Sequence, residues 1–464
     1  MKTAAKNLLS LLTADIVRRL LSFVSVAYLA RVIGVEGFGA VNIGFAVLSI
    51  GIIVSAMGLG TLGAREIARG KSDDIVSDIL SLRVILSAAA IALTAVIALL
   101  FVHDATTAKL IIVFSLSTFG YALLIEWYFQ GKENMRIIAA GRVSSPALYV
   151  VLLLLFVRSE QQILWVAAAA VLSDFLYAFL LLRKYKLGGG TLEFRVRPAV
   201  WKSFLSESLP VALGYIFAQV TVNYPPLALA MLKSNTDVGI FSAASKIVFY
   251  LLMVDRVLAP LLLPALTRWQ GVSAEVLAHR TSDTLRWLML VGMPAAVGGT
   301  ILAQPIVSFV FGPEYLPAAD VFRVFVWYFF LTMMNSVYST SLLAIGQNSS
   351  FGYVMFISAA VYIVAVTSCT MWYGYIGTAF AVVFSEGITL VLLHARLKRF
   401  SGLIPPKSIL KIITASALMA MVVGFSSSVH FLAVIVIGAI VYGVTVVGIR
   451  AVTPQEILQL VRKS

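Results

Sequence analysis

Apolar residues run through this chain in long stretches, each bounded by charged or turn-forming residues, rather than at the periods of soluble helices or strands. A helix needs about 20 apolar residues to cross the hydrocarbon of a bilayer, and on that test the pattern predicts about fourteen spans. They fall at 8–32, 38–63, 84–102, 108–129, 137–157, 162–182, 203–231, 239–266, 287–311, 321–345, 351–371, 376–396, 408–427 and 431–450. All are expected to be helical, because lipid forces each segment to satisfy its own backbone groups, and nothing resembles the alternation of barrel strands. The predicted fold class is an all-α polytopic membrane protein, and lipid is the solvent.

The spacing of the runs sets the organisation. A basic linker with three consecutive glycines, 183–202, separates six spans from the next six, and a weaker break at 396–407 precedes the last two. The expected domains are an N-terminal six-helix bundle (1–182), the linker (183–202), a second six-helix bundle (203–397), and two further helices with a tail (398–464). The halves are faintly alike: Leu29-Ala30, Glu36 and Gly39-Ala40-Val41-Asn42 in the first correspond to Leu229-Ala230, Asp237 and Gly239-Ile240-Phe241-Ser242 in the second. An even number of spans per half makes the repeat parallel, an arrangement in which transporters place substrate between the halves.

Composition agrees: 60% of the residues are hydrophobic and 12% charged, against roughly 25% charged in soluble domains. The net charge of +14 is explained by position. With the N-terminus taken as cytoplasmic, 25 of the 35 basic residues fall in cytoplasmic segments and five at outer ones. That bias places both termini in the cytoplasm and sets the cations against anionic headgroups, which leaves no call for nucleic acid. The first run is long enough to span and no small-residue cleavage site follows it, so no cleaved signal peptide is expected. The one cysteine, Cys369, lies in an apolar run. The four histidines lie at loops or helix ends without paired spacing, and no P-loop or nucleophile elbow is present, so neither a metal site nor catalytic residues are expected.

Five cations fall inside or near the edges of spans: Arg18, Arg19, Arg142, Lys246 and Arg256. A cation at the centre of a spanning helix costs at least about 2.5–3.5 kcal/mol, so each needs a reason. Asp15, Arg18, Ser22 and Ser25 share one face of the first span; Ser242, Ser245, Phe249 and Arg256 share a face of the eighth, with Lys246 beside it. We expect both faces to line one cationic cavity in which Arg18, Arg31, Lys246 and Arg256 bind an anion, a phosphate or pyrophosphate, through forked donors. Snorkelling to headgroups is the competing role, above all for Arg31. Asp15, Glu207 and Asp255 are the expected charge-balancing or coupling residues. Glu207 stands on a proline-broken seventh span, where a carboxyl exchanging H+ or Na+ couples a gradient to movement. No other cofactor is expected.

Six stretches resemble the polysaccharide transporter family, the lipid-linked oligosaccharide flippases of the multidrug/oligosaccharidyl-lipid/polysaccharide exporter superfamily. They are YLARVIGVEGFGAVNIGFAV (28–47), LGTLGAREIARG (59–70), EWYFQGKENMR (126–136), DVGIFSAASKIV (237–248), LLPALTR (262–268) and FGPEYLPAADVFRV (311–324). The resemblance implies two six-helix bundles around a central cavity with two extra helices beside it. It also implies a bacterial inner-membrane flippase that moves an undecaprenyl-pyrophosphate-linked sugar unit to the periplasmic leaflet for O-antigen, lipopolysaccharide, capsule or exopolysaccharide synthesis. The implied partners are the polyprenyl-pyrophosphate-linked glycan, the bilayer and polysaccharide polymerase machinery. The rival readings are a multidrug/cation antiporter, which favours an acidic cavity, and a membrane glycan polymerase or ligase, which needs a larger outer loop than 312–320.

Overall fold

The computed structural model describes residues 2–70, 74–252, 274–401, 409–426 and 430–452. Among them every regular element is helical: α1 (Lys2–Ala56), α2 (Leu59–Ala68), α3 (Asp74–Phe101), α4 (Ala105–Ser115), α5 (Ser117–Ala122), α6 (Glu126–Gly131), α7 (Met135–Phe156), α8 (Leu164–Leu187), α9 (Pro198–Leu232), α10 (Asn235–Leu251), α11 (Ala274–Ile301), α12 (Ala303–Phe311), α13 (Ala318–Ala344), α14 (Asn348–Ser401), α15 (Ile409–Phe425) and α16 (Phe431–Gly448), with two short 3-10 turns. Nine helices among the described residues are long and apolar enough to cross a membrane, or ten when the bent pair Pro198–Ile216 and Thr221–Leu232 counts as one span. The chain is therefore a multi-pass membrane protein.

The difference from fourteen has physical causes. The expected spans 8–32 and 38–63 share α1, and 351–371 and 376–396 share α14. A straight helix over Thr13–Ala56 would be about 66 Å long, twice the ~30 Å hydrocarbon core. It is broken at Gly34 (φ +66°), and α14 is broken at Gly374 (φ +59°). Only glycine takes such left-handed angles without steric cost. The span expected at 408–427 is the 17-residue α15. The span expected at 239–266 runs from α10 into residues outside those described.

By its internal contacts the chain forms two compact units, Met1–Gly239 and Ile240–Ser464. The first takes in α9, the helix after the basic linker, because α9 packs on α1 and α2. The linker itself is tied down within this unit. Ser77 Oγ accepts from the Glu193 backbone N–H at 3.1 Å, Ser81 Oγ accepts from that of Arg195 at 2.9 Å, and the Arg195 guanidinium meets Asp74 at 2.8 Å.

Large rings packed against glycines hold the first unit together. Trp127, Tyr177 and Tyr185 sit in one buried cluster with Ile75, Val76, Ile79 and Leu181. A Cβ at Gly141 would fall 1.8 Å from the Tyr177 ring, and one at Gly63 would fall 2.4 Å from Trp127. Both glycines leave space that a ring fills. A tighter approach joins α1 to the start of α10, where Gly39 and Gly239 bring backbone onto backbone.

The span expected at 108–129 is interrupted twice, into α4, α5 and α6. At the second break Arg83 of α3 donates to the carbonyls of Tyr121 and Leu124, the latter at 3.0 Å. Carbonyls freed by a helix break must find donors in a membrane interior, and the guanidinium supplies them. Arg83 is one of the 25 basic residues that the charge pattern assigns to cytoplasmic segments, and the structure buries it, 6% exposed, within α3. In the second unit, α11 packs on α13 and α15, and Asn335 donates to Glu386 at 2.8 Å between α13 and α14.

Candidate functional site

A cavity of about 810 Å³ opens inside the first unit. Its lining comes from eight of the helices described above. Arg18, Ser22, Ser25 and Ser49 come from α1, Thr61 from α2 and Arg83 from α3. Tyr121 of α5, Glu126, Trp127 and Gln130 of α6, and Arg142, Ser145 and Tyr149 of α7 follow, with Ser173, Asp174 and Tyr177 from α8. Tyr215 of α9 completes it. Serines at positions 22 and 25 lie three apart and so share the Arg18 face of α1.

Three arginines and two carboxylates line the cavity, and most of the charge is already matched. Glu126 takes a two-pronged contact from Arg142, with Nε at 3.1 Å from Oε1 and Nη2 at 2.7 Å from Oε2. The Tyr177 hydroxyl donates to the same Oε1. Bidentate guanidinium–carboxylate pairs are stronger and more directional than single contacts, so this triad fixes α6, α7 and α8 against one another. Just beyond the lining, Asp15 accepts from Arg18 Nη2 at 2.8 Å and from Arg19 Nε at 2.7 Å, 3 and 4 residues further along α1. Arg18 keeps 44% of its side chain exposed while Arg19 keeps 16%. Arg18 is therefore the one that presents donors to the cavity.

The expected site residues separate into five groups. Arg18 lines this cavity, with Asp15 bridging it to Arg19. Arg31 is exposed and outside the lining. Lys246 is half-buried on α10 in the second unit, beside buried Ser245 and Ile247. Asp255 and Arg256 lie outside the described residues. Glu207 does not reach the cavity lining; it is exposed on α9 and pairs with Arg65 of α2. The proline-rich helix that carries it is bent by 64° between its halves.

Sequence reasoning did not find the Glu126–Arg142–Tyr177 triad or the place of Arg83. Glu126 and Arg142 were visible as ionisable residues in apolar segments, which is the available signal. Their pairing depends on the turn between α6 and α7. For Arg83 the signal is Ser87 one turn later, whose hydroxyl donates back to the Arg83 carbonyl at 2.8 Å and marks the helix as already formed there.

Among the described residues no three His, Cys, Asp or Glu side chains come together as a metal site. The arrangement is a polar, mixed-charge chamber within an apolar bundle, suited to holding an ionic group out of lipid.

Known proteins match this chain along most of its length. A Shigella dysenteriae protein named "Putative O-antigen transporter" is 22% identical over 405 residues, which is 85% of this chain and all of that protein. Among solved structures, the lipid II flippase MurJ in an inward closed conformation aligns with a TM-score of 0.75 at 18% identity, over 94% of this chain and 97% of its own. An inward-facing multidrug resistance MATE family transporter of the MOP superfamily aligns with a TM-score of 0.62 at 16% identity, over 83% of this chain and 96% of its own. At these identities the structures establish a shared fold. The family described as polysaccharide biosynthesis protein matches residues 4–270, more than half of the chain, and this protein belongs to it.

Proposed function

We propose that the protein is a flippase. It moves an undecaprenyl-pyrophosphate-linked oligosaccharide from the cytoplasmic to the periplasmic leaflet of the bacterial inner membrane by alternating access, for surface polysaccharide synthesis. Its termini are cytoplasmic by the distribution of Lys and Arg, and polymerase machinery is the downstream partner. The observation that carries the reading is the chamber lined by Arg18, Arg83 and Arg142 in a unit otherwise built of apolar helices. Family membership and the names of the relatives support it.

The physics of the task matches the chamber. A pyrophosphate headgroup cannot cross about 30 Å of hydrocarbon alone, because burying an unpaired charge costs far more than any single contact returns. Arg18 and Arg142 offer forked donors to phosphate oxygens. Ser22, Ser25, Ser49, Thr61 and Gln130 offer hydroxyl and amide partners to sugar. The lipid tail stays in the bilayer throughout. If net charge moves, the membrane potential contributes about 2.3 kcal/mol per charge per 100 mV.

The test is complementation of a strain lacking its own flippase. Arg18→Ala should lower surface glycan while leaving the amount of protein in the membrane unchanged, and Arg142→Ala, which also releases Glu126, should lower it further than Glu126→Gln does at matched protein level. Normal glycan from the double variant overturns the assignment of these residues. Glu126 and Asp174 in the same chamber favour the multidrug/cation antiporter as second reading, since carboxylates attract cationic drugs. Raised drug tolerance on expression, without glycan rescue, would select it.

A further inference from the structure

A second concavity lies in the first unit, apart from the chamber. It measures about 560 Å³ and shares no lining residue with the chamber. Trp201, Lys202, Leu205 and Leu209 bring one face of α9 to it, at the spacing of helical neighbours. Leu82 of α3 and Met57, at the break between α1 and α2, form its other walls. Ala56 and Gly58, on either side of Met57, line the chamber, so this groove backs onto the chamber wall. Lys202 lies about one turn inside the start of α9. Leu209 follows two turns later, about 10 Å further along the helix axis. This first half of α9 belongs to a spanning pair and the charged linker precedes it, so the groove runs from headgroup level into hydrocarbon.

Charge on the surrounding elements is matched, with one exception. Glu66 of α2 is held by Arg69 at 3.1 Å, Asp78 of α3 meets Arg197 at 3.5 Å, and Glu207 of α9 pairs with Arg65. Asp74 and Glu193 share Arg195, at 2.8 and 2.6 Å. Lys202 is exposed and has no ion pair among the described residues. Apolar walls that nothing covers forfeit their dispersion contacts, and water gains nothing from a groove without several polar partners. Within a bilayer the filler at hand is an acyl chain. A zwitterionic headgroup would bring Lys202 no net charge, whereas an acidic one supplies its counter-charge, the attraction that basic residues near a membrane surface show for anionic lipid.

We propose that this groove binds one anionic phospholipid of the bilayer, with an acyl chain between α9 and Leu82 and the phosphate at Lys202. The site requires only that the chain spans a membrane, so it stands apart from the flippase reading.

Native mass spectrometry of the full-length protein tests this, after equilibration in detergent with equal amounts of phosphatidylglycerol and phosphatidylcholine of matched chains. Wild type should retain one phosphatidylglycerol in preference to phosphatidylcholine. Lys202→Gln should weaken that retention about fivefold, the attraction of one basic residue to anionic lipid, and leave phosphatidylcholine unaffected. Leu209→Trp, which fills the groove, should abolish retention. Lys184→Gln, at an exposed cation outside the lining, should not change it. Phosphatidylglycerol should also raise the melting temperature of wild type more than that of Lys202→Gln, because a ligand of the folded state stabilises it. Equal retention of the two lipids by wild type overturns the proposal, as does an equal loss in Lys184→Gln, which marks diffuse attraction. Displacement of phosphatidylglycerol by undecaprenyl phosphate assigns the groove to the tail of a polyprenyl cargo and overturns it too. None of these results touches the glycan assay, which decides the flippase reading separately.

Discussion

The contact between α1 and α10 gives the sharpest quantitative expectation. A methyl group placed on Gly39 would sit 1.8 Å from the Asn235 carbonyl oxygen and 2.9 Å from the Gly239 nitrogen; one placed on Gly239 would sit 2.0 Å from the Val35 oxygen. Comfortable carbon–oxygen contacts begin at roughly 3.3 Å, so Gly39→Ala forces the helices about 1.5 Å apart. The obstructing atoms are backbone, which cannot swing aside. Overpacking of this kind typically costs 1–3 kcal/mol, and the rigid partner argues for the upper end, about 3 kcal/mol. For a unit of this size that lowers the melting temperature by roughly 6–12 °C. The assay is thermal unfolding of purified protein in detergent, followed by the monodisperse fraction that survives heating. Two controls grade the argument. Gly44→Ala meets only the Phe114 ring at 2.5 Å, which can turn, so its loss should be about a third as large. Gly352→Ala meets nothing within 4 Å and should leave stability unchanged or raise it, because alanine favours helix by up to ~1 kcal/mol. Should Gly39→Ala melt with the wild type, or Gly352→Ala fall as far, the steric reasoning is refuted.

Other outcomes follow from the same coordinates. Arg83→Met strips the Leu124 carbonyl of its side-chain donor and leaves the Tyr121 carbonyl only the Leu124 backbone N–H, and should cost about 1–3 kcal/mol by the penalty for an unpaired buried group, read as a lower melting temperature that Arg83→Lys only partly restores. Arg65→Glu should loosen the tie between α2 and α9 and Arg65→Glu/Glu207→Arg restore it, with the difference in cleavage of α9 by added protease fading at high salt because both side chains are largely exposed. Asp104, in the loop before α4, is held below the ordinary carboxylate range chiefly by the Thr107 hydroxyl, with burial opposing and the Thr107 and Thr106 backbone N–H groups assisting. Its stabilisation is therefore present at pH above ~3.9 and is lost as pH falls through the lower folded value. Asp104→Ala should cost about 0.5–1 kcal/mol as a lost helix cap at neutral pH, and almost nothing in strong acid, when melting is compared at the two pH values.

Hydrophobic run length made the all-helical membrane architecture legible, since a bilayer admits little else. Joins and breaks were less visible. Gly34 reads as one glycine among 32, and nothing local distinguishes it from Gly352, which sits in unbroken helix near the start of α14. The interruption of 108–129 depends on Arg83 arriving from another helix, so it belongs to tertiary structure and leaves no trace in local hydropathy. Arg18 was recognisable because Asp15 lies on its own helical face. Arg142 lacked that cue: its partner is Glu126, 16 residues away in sequence, around a turn centred on Glu133 with positive φ. Asp174 was visible only as an acid in an apolar run.

The pairing of Arg142 with Glu126 has a consequence for turnover. On the proposed flippase reading, an incoming anion does not meet a bare guanidinium at Arg142; it must displace a resident carboxylate, so occupancy is a swap of one acidic partner for another. Swaps of that kind return little net free energy, which keeps cargo loosely held, and the protein's own acid is poised to reclaim the arginine as the cargo departs. A carrier built this way trades grip for speed of discharge.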